Sequence, residues 1–190
     1  MKKMYNTFLK LEFSEIKCKR VELIPVSMDY LSDMHEYSII PEFFKFLEYE
    51  EFTSIEETRN YLEDLIKISQ NGNGHYWFIR LLKENKIVGT FDIINVDQKR
   101  NSCEIAYGIS PKFWNIGLFS EVLEHVIPEL FERYHFRRIF VKTHVDNLSS
   151  IRGLEKNGFV KEGIMRDYYL TTDKKRYDAC LLSIIDDSTT

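Results

Sequence analysis

SCEIAYGISPKFWNIGLFSEVLEHVIPELF, residues 102–131, reads as a strand, a tight turn and a long amphipathic helix. Cys103, Ile105, Tyr107 and Ile109 alternate with Glu104, Ala106 and Gly108, the two-residue period of a strand. Pro111 has no N–H to offer a ladder and ends the strand. Leu118, Phe119, Val122, Leu123, Val126, Ile127, Leu130 and Phe131 then recur at the spacing of one helix face. Pro128 falls inside that helix and is expected to kink it. A strand entering a helix through a glycine turn aims unpaired N–H groups and the positive end of the helix dipole at one spot, here around Gly117. That spot suits a phosphate, although one glycine before a helix is also the mark of an ordinary turn.

Downstream, Arg138–Val145 alternates as a strand. Asn147–Asn157 reads as a short helix, capped by Asn147 or a serine and closed by Gly158. Phe159–Ile164 and Lys175–Ile185 give the last two strands, joined through RDYYLTTDK. Upstream, His75–Leu82 and Lys86–Val96 form a hairpin that turns again into the Ser102 strand. A helix starts at Ser54, where Ser54 and Glu57 make a capping box, and NGNG at 71–74 ends it. Arg20–Pro25 is a first short strand, followed by a helix over Val26–Ser38 with Ser27 as its cap. Residues up to about Ile16 are expected to form an irregular arm. PEFFKFLEYEEF, residues 41–52, is either a core plug or one wall of a substrate pocket.

At 190 residues and 44% hydrophobic, the chain can bury a substantial core as one domain, 1–190 with a core of about 20–185. A net charge of -4 gives no support to a broad grip on nucleic acid. Cys18, Cys103 and Cys180 are too few and too scattered for a disulfide framework. No His, Cys or carboxylate grouping has metal-ligand spacing, so no metal is expected. No apolar run approaches membrane-spanning length and the N-terminus is too polar for a signal peptide. The expectation is a cytoplasmic protein without membrane or nucleic-acid partners; a homodimer is left open.

YGISPKFWNIGLFSEVLEHVI together with the block from Arg137 to Ile185 resembles the GNAT superfamily of acyl-CoA-dependent N-acyltransferases. The most specific piece is NLSSIRGLEKNGF, residues 147–159. The chain is most similar to the branch with ribosomal-protein N-terminal acetyltransferases and small-molecule amine acyltransferases. That resemblance implies a mixed α/β (α+β) fold: a mostly antiparallel twisted sheet of six to seven strands, splayed between its fourth and fifth, with about four helices. It implies acetyl-CoA, or another acyl-CoA, lying in the splay. Pantetheine would pair near Ile109, and pyrophosphate would sit on the loop of Trp114, Asn115, Ile116, Gly117, Leu118, Phe119 and Ser120. Trp114 stands in place of the family's usual Gln or Arg, Asn115 where the branch usually has a glycine, and Phe119 where it has a small residue. Asn147 is carried over as a pantetheine contact, with Arg152 and Lys156 toward the nucleotide.

Direct transfer needs a neutral amine, an acceptor for its proton and a donor near the departing thiolate. Ser150 matches the serine that some relatives place beside the sulfur, whereas Leu154 stands at the alternative tyrosine position. Lys142 occupies the place of one branch's glutamate base, leaving Glu104 as first choice, with Asp92 and His144 as alternatives. Phe44, Tyr49, Asp92, Asn95 and Tyr168 would line the acceptor side, with Tyr169 and Tyr177 beside them. The resemblance implies acyl transfer to a small-molecule primary amine, such as an amino sugar or a nucleotide-linked one. Transfer to a ribosomal-protein-like N-terminus and a non-catalytic acyl-CoA sensor are the alternatives. A dinucleotide oxidoreductase is disfavoured because no G-x-G-x-x-G follows the first strand.

Overall fold

The computed structural model describes residues 13–71 and 74–187. It contains eight strands: β1 (Ile16–Lys17), β2 (Val21–Pro25), β3 (His75–Leu81), β4 (Lys86–Asp97), β5 (Ser102–Ile109), β6 (Arg138–His144), β7 (Val160–Leu170) and β8 (Arg176–Ile185). Five α-helices flank them: α1 (Leu31–Ser38), α2 (Pro41–Phe44), α3 (Ile55–Asn71), α4 (Leu118–Glu132) and α5 (Leu148–Lys156). All strands lie in one sheet, ordered β1-β2-β3-β4-β5-β6-β8-β7. Every pairing is antiparallel except β5 with β6.

That exception positions the site. The parallel ladder joins only Ser102–Glu104 to Arg138–Phe140, although β5 continues to Ile109 and β6 to His144. Beyond Glu104 the two strands diverge and open the sheet. On one face α4 and α5 cover a core that includes Trp77, Phe91, Ile105, Leu123, Ile139 and Leu154. On the other, α1 and α3 cover Met34, Leu62, Leu65, Phe78 and Ile87. The alternation along β5 assigns Ile105, Tyr107 and Ile109 to the α4–α5 face, and hence Glu104, Ala106 and Gly108 to the opposite one.

The structure extends or corrects the sequence reading at several places. The eighth strand is the short β1, just where an irregular arm was expected to end. Residues 1–12 of that arm lie outside the described residues, as do residues 72–73 of the NGNG stop; α3 ends at Asn71. The helix expected over Val26–Ser38 begins as a 3-10 turn at Met28–Tyr30, with Ser27 accepting from the Asp29 N–H. At the head of α3 the Ser54 hydroxyl accepts from the Glu57 N–H, but the Glu57 carboxylate reaches one residue further back, to Thr53. Arg166–Leu170, expected in a connection, continues β7, with Asp167 at φ 56 and a register shift absorbing the bulge. Finally, α4 passes through Pro128 as one helix.

Candidate active site

The turn between β5 and α4 is built from left-handed residues. Gly117, the N-cap of α4, has φ 80, and Asn115 has φ 59. Asn tolerates this region better than other residues with a side chain, which explains how it stands in for a glycine. Trp114 Nε1 donates to the Ile109 carbonyl at 2.6 Å and ties the loop to the end of β5. Trp114 and Ile116 are exposed, whereas Leu118, the first residue of α4, is buried. The Phe119 ring turns inward, 4.2 Å from the Tyr107 ring centroid. A Cβ on Gly153 would come within 2.8 Å of it, so glycine at this point of α5 lets the bulky Phe119 fit. Ser120 accepts from Asn157 Nδ2 and joins the two helices.

Arg20, just before β2, holds this loop from a distance in sequence. Its guanidinium donates to the Ile116 carbonyl at 2.8 Å and to Glu121 Oε2 at 2.6 Å, while its own N–H donates to Glu121 Oε1. Glu121 is buried. Nothing in the sequence spacing linked Arg20 to Gly117; a lone arginine at a strand start carries no such signal.

Three hydroxyls meet in the throat of the splay. Ser150 Oγ lies 2.7 Å from Tyr107 Oη and accepts from Thr143 Oγ1 at 3.0 Å. Continuing the β5–β6 register past its last pair brings Tyr107 level with Thr143, so Ser150 on α5 bridges both diverging strands. Burial holds the Tyr107 phenol above its ordinary proton affinity, and it keeps its proton. Asn147 caps α5, its Oδ1 accepting from the Ser150 N–H at 3.2 Å. Arg152 and Lys156 are exposed one turn apart on α5.

The opposite face carries the carboxylates. Glu104 is buried, 2.9 Å from Lys142 Nζ, and accepts from Asn95 Nδ2 at 2.7 Å. Asn95, at φ 49 in a β4 bulge, is thus engaged by Glu104. Lys142 also donates to Tyr168 and sits 4.8 Å from the centre of its ring. Burial opposes the Lys142 charge, but the hydrogen bonds to Tyr168 and Glu104 outweigh it and raise its proton affinity. Asp92 is different: its Oδ1 is buried without a hydrogen-bond partner, and burial pushes its carboxyl well above the usual range.

Beside this face lies a cavity of about 450 Å³ lined by Phe44, Phe46, Tyr49, His144, Tyr169 and Tyr177. Glu48, Glu50, Glu51, Asp146 and Asp173 also line it, against Lys45 as the one lining lysine or arginine. The 41–52 segment is fixed to the β7–β8 hairpin, with Glu48 accepting from the Leu170 N–H and Glu50 from the Thr172 hydroxyl. That segment is therefore a pocket wall as well as a core plug, since Phe44 is buried against Phe43 and Phe52. Of the residues expected on the acceptor side, Phe44 and Tyr49 line this cavity, and Asp92, Asn95 and Tyr168 do not.

The family profile described as "Acetyltransferase (GNAT) domain" matches residues 20–160. The chain belongs to the GNAT acetyltransferases. Among similar proteins of this family, the N-acetyltransferase YoaA of Bacillus subtilis, itself uncharacterised, is 32% identical over 136 residues, covering 72% of this chain and 76% of that protein. A ribosomal-protein-serine acetyltransferase of Escherichia coli is 25% identical over 120 residues, 63% of this chain and 66% of the other. Among solved structures, RimL, a ribosomal L7/L12 N-acetyltransferase bound to coenzyme A, superposes with a TM-score of 0.82 at 22% identity, covering 92% of this chain and 99% of that one. The microcin C7 self-immunity acetyltransferase MccE, bound to acetyl-CoA and AMP, gives 0.80 at 20%, covering 88% and 93%. These likenesses agree with the GNAT fold. Among the described residues no helix is long and apolar enough to cross a membrane.

Proposed function

We propose that this GNAT protein transfers an acetyl group from acetyl-CoA to the primary amine of a small, multiply cationic acceptor. One observation supports the reading: the Ser150 hydroxyl node lies on one face of the β5–β6 opening, and an aromatic, acid-rimmed cavity lined by His144 of β6 lies beside the other. The donor's diphosphate would rest on the N–H groups of 115–120, where two left-handed residues expose the backbone. Its pantetheine would follow β5 past Ile109 toward the throat, flanked by the free amide of Asn147, with Arg152 and Lys156 nearer the nucleotide. Thr143 donates to Ser150 Oγ, and when the Tyr107 hydroxyl donates to it as well, the serine's own O–H is left to point at the sulfur. There it stabilises the thiolate as the C–S bond breaks.

Five carboxylates against one lysine favour a cationic guest, and the rings suit an alkyl or sugar frame. A polyamine or an aminoglycoside-like amino sugar fits; a nucleotide-linked sugar brings a diphosphate that the same rim repels. A second reading, the α-amine of a protein N-terminus, is favoured by the similarity to the ribosomal-protein-serine acetyltransferase. Free-thiol release from acetyl-CoA with spermidine, glucosamine and a serine-terminated peptide separates the two. Turnover with spermidine or glucosamine, inhibited by salt, is expected. Turnover with the peptide alone selects the second reading, and coenzyme A binding without turnover on any amine selects a sensor.

A further inference from the structure

Direct transfer requires that the attacking amine lose a proton, and the three candidate acceptors on this face, Glu104, His144 and Asp92, are not equivalent. Glu104 already receives Lys142 and Asn95 on the same oxygen. His144 accepts from the Asp146 N–H at Nδ1, so its neutral ring carries its proton on Nε2. Its ring is packed among Phe46, Tyr169 and Tyr177. Asp92 is free of such partners: its Oδ1 is sealed from solvent and bonded to nothing. A buried unpaired carboxylate oxygen is costly to keep, and one in a native protein asks for a role.

Strand register places Asp92 where that role can be performed. Asp92 pairs with Tyr76 on β3 and with Ala106 on β5. Extending the β5–β6 register sets Ala106 level with Lys142 across the opening. Only a methyl group therefore stands on the strand between Asp92 and the gap. Neighbouring strands are about 4.8 Å apart, so the carboxylate is within reach of an amine in the throat, directly or through one water. The titratable groups that feel its charge are Tyr76 from β3, Tyr37 from α1, Tyr61 from α3 and Tyr49 from the pocket wall, all neutral hydroxyls. Tyr37 Oη is itself buried without a partner. The charged pair on this face, Glu104 and Lys142, largely cancels itself.

We propose that Asp92, and not Glu104, receives the proton of the acceptor amine; the assignment rests on the acetyl-transfer reading above. The amine nitrogen bonds to the thioester carbonyl carbon, the C–S bond breaks, and the nitrogen's proton passes to the Asp92 carboxylate. The thiolate leaves against the Ser150 O–H and takes a proton from solvent, as Asp92 returns its own. Glu104 and Lys142 then serve as a fixed ion pair that shapes the throat.

The test compares Asp92→Asn, Asp92→Glu and Glu104→Gln by pH profiles of kcat/KM, using whichever of spermidine, glucosamine or the serine-terminated peptide the parent acetylates. Asp92→Asn is expected to lower kcat by about 100-fold at neutral pH, leave the KM for acetyl-CoA within about twofold, and erase the acid inflection. Asp92→Glu should restore part of the rate with a displaced inflection, and Glu104→Gln should keep the parent's inflection. Asn removes a buried charge without changing shape, so the melting temperature should not fall; a fall would shift the burden to Asp92→Glu, whose unaltered profile would then count against the proposal. Parent-like turnover and inflection in Asp92→Asn overturn the assignment of Asp92 alone. A parent that acetylates none of the amines overturns the acyl-transfer reading and Asp92's part in it together.

Discussion

The Tyr107 hydroxyl lies 2.7 Å from Ser150 Oγ, joining a strand of the opened sheet to the helix that covers it. Thr143 on the other strand donates to the same Ser150 Oγ, so the serine is held between the two diverging strands. Ser150→Ala should lower kcat roughly 10- to 100-fold with the Kd for coenzyme A nearly unchanged, because the lost bond strengthens only as charge reaches sulfur. Tyr107→Phe should cost several-fold in kcat alone. Steady-state kinetics beside calorimetric CoA binding check both, and a Ser150→Ala enzyme at parental speed would remove the hydroxyl node from the chemistry.

Backbone handedness makes the turn between β5 and α4 selective about its side chains. Gly117 at φ 80 and Asn115 at φ 59 occupy a region closed to β-branched residues. Gly117→Val should raise the CoA Kd at least tenfold, and Asn115→Val should weaken it less. Asn115→Gly should bind within about twofold of the parent. Titration calorimetry reads all three, and equal affinity in Gly117→Val would place the diphosphate elsewhere.

Arg20 ties the same loop to the buried Glu121. Arg20→Ala leaves that carboxylate without its guanidinium partner, a loss of about 1–2 kcal/mol after allowance for the half-exposed arginine. It should also weaken CoA binding several-fold by freeing the Ile116 carbonyl. Arg20→Lys should recover little, since an ammonium cannot bond Glu121 and Ile116 through a planar fork. Denaturant melts and CoA titrations measure the two effects separately.

Acid should destabilise the protein through His75, which sits 4.2 Å from the Trp77 ring with Nε2 buried and unpartnered. Burial lowers its proton affinity from 6.5 to about 4. The unfolded chain therefore takes up the proton first as pH falls. The contribution of His75 is complete above about 6.5 and is lost progressively toward about 4. His75→Phe should flatten this part of the stability–pH curve, and an identical slope in both proteins would clear His75 of the effect.

Much of the fold was legible because it is written in short-range spacing. The alternation of Cys103–Ile109, the glycine turn and the three-and-four pattern of α4 involve neighbours a few residues apart, and the structure places all of them where the periodicity did. Asn147 as a cap follows from the same local chemistry. Errors gathered where long-range contacts overrule local patterns. The β7 strand runs through Arg166–Leu170 because β8 pairs with it there, and β1 exists only because β2 accepts it.

The candidate site divides along the same line. Local spacing was enough for the β5 strand, the glycine turn at Gly117 and the short capped helix that carries Ser150, since each depends on interactions within about one turn. The fold class followed from the family resemblance of residues 102–131 and 147–159. Long-range packing brings Arg20 onto Ile116, sets Tyr107 and Thr143 on Ser150, and pairs Glu104 with Lys142 while leaving Asp92 Oδ1 unpartnered. Those relationships depend on strand register and on which strands lie side by side, and a side chain's partner across a sheet leaves no period in its own stretch of chain.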